Sequence, residues 1–391
     1  MVKMIYELLF GFLIICVGLL EFGNSADVTK FGAIGDGKTD DSKAFLKAWE
    51  KVCGANDPQT LQIPHGKNFL LQPLAFNGPC KSTIQVQLLG NLVGPESSGW
   101  LGDQKDKWII FRGVDDLLFK GSGTIDGRGE PWWKAAKPKD DTNRPTSLCF
   151  QSCNNLQVKG FTSINSPRNH ISITGCNRAS ISNVNLIAPE ESPNTDGIDI
   201  SGSNQINITD SYIGTGDDCV AVNGGSVGII IRNVNCGPGH GLSIGSLGRN
   251  GKRETVEQVR VQNCTFNRTD NGARIKTWPG GSGYVKNITF EQITLIEAKN
   301  PIIIDQFYGH CYPNCKGGNS AVEIRDVRFI GFNGTSMSKE AIKLNCSSVC
   351  GCDNVALEQV NIKSAVRGKG IEAVCNNARV ACQHSVPSVE C

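Results

Sequence analysis

The amino-acid sequence predicts an all-β fold, a right-handed parallel β-helix (a solenoid) with a short N-terminal capping helix and a disulfide-rich C-terminal cap. Three observations support this prediction. A short strand pattern recurs along the chain, a second strand follows each copy, and no helical pattern separates the two. The 391 residues include 45 glycines and only 19% charged residues, a composition that favours turns and sheets over helices.

The recurring pattern is an apolar, a polar and a turn-prone or amide residue, followed by an apolar, a polar and an apolar residue. Its eight copies span 158–163, 181–186, 208–213, 231–236, 261–266, 290–295, 324–329 and 357–362. The third positions are Gly160, Asn183, Asp210, Asn233, Asn263, Gln292, Asp326 and Gln359. An antiparallel sandwich is the alternative, but the sequence has few two-residue hairpin signals.

A second strand with period-two alternation follows each copy. These strands span 170–173, 197–200, 219–222, 241–244, 272–275, 301–304, 341–344 and 370–373. Two strands in each repeat of roughly 22 to 35 residues are typical of a solenoid. We expect the coils to stack at about 4.8 Å, as neighbouring strands do in any sheet.

Both ends of a solenoid need a cap. At the N-terminal end, 36–53 predicts a helix that Thr39 or Asp40 caps. The apolar face of this helix carries Ala44, Phe45, Ala48 and Trp49. At the other end, six cysteines are close together and can form disulfides, namely Cys346, Cys350, Cys352, Cys375, Cys382 and Cys391.

The segment 1–26 predicts a secretory signal peptide. Lys3 precedes an apolar run, 8–20, and small residues follow at 23–26. A membrane anchor is the alternative, but it needs roughly 20 apolar residues, more than this run provides. We therefore expect one β-helical domain, 27–391, that is secreted and has no membrane segment after cleavage. The net charge of +2 without a basic run makes nucleic acid a poor candidate partner.

The cysteines and the glycosylation sequons agree with secretion. The chain has 17 cysteines, and those beyond the signal peptide are even in number, which suits disulfides. Cys219 and Cys236 are one candidate pair. A zinc site is the alternative, but no pair of CxxC units lies near histidines. Six Asn-x-Ser/Thr sequons are candidate glycosylation sites: Asn207, Asn263, Asn267, Asn287, Asn333 and Asn345.

Charged residues recur at the start of the second strands. Asp196, Asp218 and His240 are equally spaced along the sequence, so equal register predicts one column, with one residue on each coil. On the next coil Arg274 and Lys276 alternate with Ile275, which points both cations to the same face. Two further carboxylates, Asp217 and Asp199, stand beside the column.

Two stacked aspartates repel each other, which raises one pKa and favours a shared proton or a bridging water. Each residue alone suits a structural role, and a calcium site is a further alternative. Together, paired carboxylates suit glycoside hydrolysis, and fixed cations suit an anionic sugar. We expect the glycines beside the acids to let a polymer approach the backbone. Carboxylates about 5 Å apart leave a retaining mechanism open.

Four motifs resemble those of the polygalacturonases, glycoside hydrolase family 28. They are NTDGIDI at 194–200, GDDC at 216–219, GHGLSIGS at 239–246 and RIK at 274–276. The similarity extends over essentially the whole mature chain, from DVTKFGAIGDGKTDD at 27–41 to the C-terminal cysteines. The plant exo-acting, pollen-type branch is the most similar.

The resemblance implies a role for each site residue. Asp217 corresponds to the general acid, and Asp196 and Asp218 to the pair that activates the attacking water. His240 corresponds to the histidine that tunes the acid. The residues that correspond to substrate-binding positions are Arg274, Lys276, Asn194 and Tyr308. The implied reaction cuts α-1,4 galacturonosidic links with inversion and without a metal or other cofactor.

The resemblance also implies homogalacturonan (pectin) as the partner, the plant cell wall as the location and a monomer. One departure is Asp199, where many relatives have histidine. The rival functions are a rhamnogalacturonan hydrolase, a calcium-dependent pectate lyase and an inactive wall-binding protein. Whether cleavage is at chain ends or internal depends on loops that include 250–257 and 309–319.

Overall fold

The computed structural model describes residues 24–101, 106–136, 144–309 and 320–391. Within these ranges the strands pair in parallel and form two sheets. Each coil contributes strands to both sheets, so neighbours in a sheet come from successive turns of the chain. The predicted right-handed parallel β-helix is confirmed.

The sheet that carries the equally spaced charged residues, here called the front sheet, has eleven strands in the described part of the chain. Its strands are Leu74–Asn77, Lys107–Arg112, Thr146–Gln151, Ile171–Thr174, Ile198–Ser201, Val220–Val222, Leu242–Leu247, Asn271–Thr277, Asn300–Asp305, Glu340–Asn345 and Glu372–Asn376. The last eight contain or overlap the eight second strands that the sequence predicts.

The back sheet takes the other 23 described strands. They are Ser25–Asp27, Asp36–Asp40, Gln59–Ile63, Asn68–Leu70, Ile84–Leu88, Asn91–Val93, Leu117–Gly121, Thr124–Asp126, Gln157–Lys159, Thr162–Ile164, Asn177–Ser182, Asn185–Ile187, Asn204–Thr209, Tyr212–Gly214, Ser226–Arg232, Asn235–Cys236, Arg253–Gln262, Thr265–Asn267, Ser282–Ala298, Glu323–Ser336, Cys352–Glu358, Asn361–Ser364 and Ala378–Gln383. They run in two ladders that meet at the middle of the recurring sequence pattern.

The turn-prone third position of that pattern is where the chain bends between the two ladders. All eight third positions adopt a left-handed backbone, with φ between 51° and 84°. Amide and acidic side chains tolerate this conformation better than other residues with a side chain. They also bond along the helix axis: Asn233 donates to Asp210 at 2.7 Å, and Asn263 donates to Asn233 at 2.9 Å. The pattern therefore encodes the bend.

The space between the sheets is filled by one continuous hydrophobic core. In the N-terminal coils the inward positions are aromatic and stack coil on coil. The Phe111 and Phe150 rings are nearly parallel at 5.6 Å, and Phe161 packs edge-on against Phe119 at 5.2 Å. Later coils use mainly Ile, Leu and Val. The core therefore supports the front sheet from beneath.

The N-terminal helix spans Ser42–Cys53 and buries the predicted apolar face against the first coils. Its N-cap position is Asp41 rather than Thr39 or Asp40. The Asp41 carboxylate accepts instead from the backbone of Ile34 and Gly35 at 2.7 and 3.0 Å. Asp40 does accept from the first helical N–H, that of Ser42, at 3.0 Å. The Asp41 side chain therefore binds the loop at 34–35 instead of capping the helix, and the side chain of Asp40 takes the helical N–H.

The other described helical segments are a short α-helix and three 3-10 turns. Their bounds are Glu130–Ala135, Val28–Phe31, Ser97–Gly99 and Arg249–Gly251. None of the helices in the described ranges is both long and apolar enough to cross a membrane. Two predicted segments lie outside the described residues, namely 1–23 of the signal peptide and 310–319 of the second cleft loop.

Four disulfides join cysteines in the described part of the chain. They are Cys53–Cys80, Cys219–Cys236, Cys346–Cys352 and Cys375–Cys391. Two of them close the C-terminal end as predicted, although Cys350 and Cys382 are free thiols. Four further cysteines in the described ranges are free and buried: Cys149, Cys153, Cys176 and Cys264. These fill interior positions as small hydrophobic residues do, so the even count did not imply complete pairing.

The left-handed bend gives a stability prediction at Asn233, whose φ is 55°. We expect Asn233→Val to destabilise the fold by about 1–3 kcal/mol, because a β-branched residue is strained in this conformation. Asn233→Gly, which removes the same side-chain hydrogen bonds but adopts the bend freely, is the control. Thermal unfolding by circular dichroism measures both. Equal losses for the two variants would assign the effect to the side-chain ladder instead of the backbone.

Candidate active site

The front sheet aligns the starts of its strands across successive coils. Ile198, Val220 and Leu242 are direct partners in register. The residue two positions before each of them is Asp196, Asp218 or His240, so the backbone column that the sequence predicts is present. Backbone bonds hold it, since Gly197 donates to the Asp218 carbonyl at 2.9 Å. The register alone therefore brings three residues from distant motifs together.

Asp218 is the centre of a buried charge cluster. Arg274 Nη2 lies 2.6 Å from its Oδ1, Lys276 Nζ lies 2.7 Å from its Oδ2, and Ser243 Oγ donates to Oδ1 at 2.9 Å. Burial by itself raises the pKa of Asp218, but the two cations outweigh it and hold that pKa at about 2. Asp218 is therefore ionised, and both Arg274 and Lys276 share its face, as their alternation with Ile275 predicts.

Asp217 belongs to a separate hydrogen-bonded chain. Its Oδ1 lies 2.9 Å from His240 Nδ1 and accepts the Asp218 backbone N–H at 2.8 Å. Asn194 Nδ2 donates to its Oδ2 at 3.3 Å, and Arg144 donates to Asn194 Oδ1 at 2.6 Å. The His240 ring thus turns to Asp217 rather than to its column neighbour Asp218. The hydrogen bond to Asp217 is the main reason why the pKa of His240 is raised.

Two other acids, Asp196 and Asp199, have raised pKa values, whereas the pKa of Asp218 is lowered. Burial, and then the charge of Asp217, raise the pKa of Asp196 well above its ordinary value. Burial also raises the pKa of Asp199 to about 7. Asn169 donates to Asp199 Oδ2, while the buried Asp199 Oδ1 has no hydrogen-bond partner among the described residues. Asp196 thus favours its proton while Asp218 is ionised, and this difference comes mainly from burial and from the two cations, with repulsion between Asp196 and Asp218 a minor cause.

A pocket of about 150 Å³ opens between these groups. Six of the sequence-predicted residues line it, namely Asn194, Asp196, Asp217, Asp218, Lys276 and Tyr308. His240 and Arg274 reach it through their hydrogen bonds to Asp217 and Asp218. The Tyr308 ring lies 5.2 Å from Lys276 Nζ and packs edge-on against Trp278 at 5.4 Å. All eight predicted site residues therefore meet at one cluster.

The same cluster has partial metal-binding character. Among the described residues, Asp217, Asp218 and His240 place ligand atoms within 4.8 Å of one another. Both oxygens of Asp218 already accept from Arg274 and Lys276, however, and these two charges would repel a bound cation. Oxygen-rich sites without adjacent cations are what calcium prefers. These ligand atoms are therefore poorly suited to the calcium site that the sequence left as an alternative.

Several supporting contacts had no signal in the sequence motifs, and the role expected for the glycines beside the acids is wrong. Ser243 and Arg144 hold site residues by hydrogen bonds, and Asp270 Oδ2 lies 3.4 Å from His240 Nε2. Ser243 carries no charge, and Arg144 and Asp270 stand outside the four motifs. Ser243 alone had a signal, because it lies in register with Arg274. A Cβ at Gly241, whose φ is 82°, would lie 2.0 Å from the Asn271 carbonyl oxygen. At the other three glycines beside the acids, a Cβ would meet backbone oxygens at 1.9 to 2.7 Å, so all four serve close backbone packing rather than approach of a polymer.

Comparison with known proteins identifies the family. The family model described as glycosyl hydrolases family 28 matches residues 53–385. The chain belongs to glycosyl hydrolases family 28. Its enzymes of the polygalacturonase type are glycoside hydrolases that act on pectin, and this chain is one of them.

Individual relatives place the chain within the family. A probable polygalacturonase of Arabidopsis thaliana is 50% identical over 373 residues, which cover 94% of this chain and 80% of the relative. An exopolygalacturonase of the same plant is 42% identical over 368 residues, covering 90% and 85%. The exopolygalacturonase structure from Thermotoga maritima, at 20% identity, covers 94% of this chain and 93% of its own with a TM-score of 0.75. That last likeness supports the fold.

The charge cluster yields a prediction at Lys276. Replacing it by Met removes a cation from Asp218, so the pKa of Asp218 rises and the carboxylate is protonated at higher pH. We expect the acidic limb of the kcat/KM profile to move to higher pH. Lysine has further donors that face the pocket, so we also expect KM for oligogalacturonate to rise at least about tenfold, with a smaller change in kcat.

Lys343→Met is the matched control, because Lys343 lies two coils further along the front sheet and pairs with Glu340 at 2.5 Å. It should behave as the unmodified enzyme does. A displaced acidic limb with an unchanged KM would mean that Lys276 only holds Asp218 and does not bind the substrate carboxylate.

Proposed function

We propose that this chain hydrolyses the α-1,4 links of homogalacturonan from chain ends, with inversion, as a secreted enzyme of the plant cell wall. One observation carries the proposal: the ionised carboxylate of Asp218, which can act as a base, shares one pocket with Asp217, which is hydrogen-bonded to His240 and can act as the acid. Glycoside hydrolysis needs such a division between a proton donor and a base.

Asp217 is the general acid in this proposal. Its Oδ1 is occupied by the His240 ring and by the Asp218 N–H, whereas its Oδ2 has the longer contact with Asn194. A proton on Oδ2 is therefore the one that can move to the departing glycosidic oxygen. His240 and Asn194 fix the carboxyl plane, so the acid is oriented before substrate arrives.

Asp196 and Asp218 activate the attacking water in this proposal. Asp218 is ionised and can accept a hydrogen bond from water, and the pair can share the proton that the water loses. Arg274 and Lys276 keep Asp218 ionised and present positive charge to a galacturonate carboxylate. The family motifs, rather than the spacing of the carboxylates, support inversion.

Action at chain ends and location in the wall rest on different observations. The similarity to a plant exopolygalacturonase favours release of single sugars. Disulfides, which persist in oxidising compartments, favour an extracellular location. We infer a monomer that binds the pectin chain without a protein partner.

Hydrolysis is tested by a reducing-sugar assay on polygalacturonate with EDTA present. We expect activity without an ultraviolet-absorbing unsaturated product, because the proposed chemistry uses carboxylates instead of calcium. Asp217→Asn should lower kcat by roughly a hundred- to ten-thousand-fold. Asp353→Asn, at an aspartate paired with Arg379 far from the pocket, is the control. Chelator-sensitive formation of unsaturated ends would support a lyase, and no cleavage with intact binding would support a wall-binding protein.

Inversion and end-wise action are tested together by a proton NMR time course on an α-linked oligogalacturonate. We expect the β-anomer of monomeric galacturonate as the first signal, since one water attacks opposite the leaving group. A first product with the α-anomer would contradict the shared-water role of Asp196 and Asp218. A ladder of intermediate oligomers at early times would contradict action from chain ends.

A further inference from the structure

The His240 ring has a second carboxylate that the catalytic motifs do not account for. Its Nδ1 faces Asp217, and its Nε2 lies 3.4 Å from Asp270 Oδ2. The other oxygen of Asp270 lies 2.5 Å from Lys299 Nζ. A row of alternating charges, Asp217, His240, Asp270 and Lys299, thus continues from the general acid across the neighbouring coils.

Backbone bonds fix this row in place. The Asp270 N–H donates to the Gly239 carbonyl at 2.8 Å, and the Lys299 N–H donates to the Thr269 carbonyl at 2.9 Å. Asn271 Nδ2 also donates to the His240 carbonyl at 3.1 Å. The coil register therefore sets His240, Asp270 and Lys299 side by side, as it does for the catalytic acids.

We propose that Asp270 and Lys299 are positioning residues that hold the His240 ring as a hydrogen-bond donor to the general acid Asp217. The proposal rests on the role proposed above for Asp217. A neutral imidazole donates from one nitrogen only, whereas both ring nitrogens here face carboxylate oxygens. With the proton of Asp217 on Oδ2, as proposed above, Oδ1 has no hydrogen to offer to Nδ1, so both contacts are satisfied only by the imidazolium ion.

The imidazolium form has a direct consequence for the acid. When Nδ1 donates to Asp217 Oδ1, the proton of Asp217 stays on Oδ2, where the substrate is expected. When the ring becomes neutral, its Nδ1 lone pair competes for that proton instead. Asp270 favours the charged ring, and Lys299 moderates Asp270 by neutralising part of its charge.

The other charges that face the His240 ring change its pKa in both directions. Asp217 and Asp218 raise the pKa of His240, while burial and Arg274 lower it. On the far side of the row, Asp270 raises the pKa of Lys299, and Glu190 adds a smaller effect in the same direction. The side chains of Asp270 and Lys299 are half-exposed, so water screens their charges. We therefore expect each to shift the pKa of His240 only as much as a surface ion pair does.

The test uses two variants whose expected shifts have opposite signs. Asp270→Asn removes a negative charge beside His240, so the ring loses its proton at lower pH and the alkaline limb of kcat/KM moves down. Lys299→Met releases the full charge of Asp270, so the same limb moves up. We expect each shift to be about 0.2–0.7 pH unit, and the Lys299→Met shift to shrink in the Asp270→Asn background.

A second readout does not depend on activity. The chain has five histidines, so NMR of histidine labelled with carbon-13 can follow the His240 ring, identified by the loss of its signal in His240→Gln. Its pKa should fall in Asp270→Asn and rise in Lys299→Met. Glu372→Gln and Lys339→Met, at an exposed pair 2.7 Å apart, are the controls and should leave both readouts unchanged.

The outcomes separate this proposal from the proposed function. Shifts of the same sign in the two variants, or no shift in either, would overturn the positioning role even if hydrolysis is observed. Absence of hydrolysis in the unmodified protein would overturn the proposed function, while the NMR titration would still report whether Asp270 and Lys299 act on His240.

Discussion

The parallel register of the front sheet is the constraint on which the rest of this molecule depends. Each strand bonds to the same positions of the coil before it, so residues from separate motifs become neighbours in space. A shift of one residue would send every side chain to the opposite face. The aromatic and aliphatic core beneath the sheet opposes such a shift, because it would expose apolar side chains.

That register makes a costly charge arrangement possible. Four carboxylates in one pocket would repel one another and would lose hydration on burial. The coil two turns beyond that of Asp218 supplies Arg274 and Lys276, which compensate Asp218, while Asp196 has no such partner among the described residues and favours its proton. One carboxyl is thus ionised and another neutral at the same pH, although both are aspartates on adjacent coils. Their pKa values differ because Arg274 and Lys276 contact Asp218 but not Asp196.

The site therefore depends on long-range order more than on any local loop. His240, Asp270 and Lys299 extend the same logic beyond the catalytic acids, with charged residues contributed by successive coils. The left-handed bends of the back sheet have a supporting role, since they keep successive coils the same shape. A solenoid of this kind can vary its loops while the stacked residues stay in register.

The sequence by itself determined the features that local chemistry fixes. The period-two strands, the left-handed bends at residues such as Asn233 and Asn263, and the acids at the strand starts all follow from residue type and spacing. Only the tertiary structure decided which side chains meet, because rotamers and burial depend on coils that are distant in the sequence. His240 turned to Asp217 instead of Asp218, Gly241 proved to serve stacking, and buried cysteines such as Cys149 stayed unpaired, each because of what the neighbouring coil placed beside it.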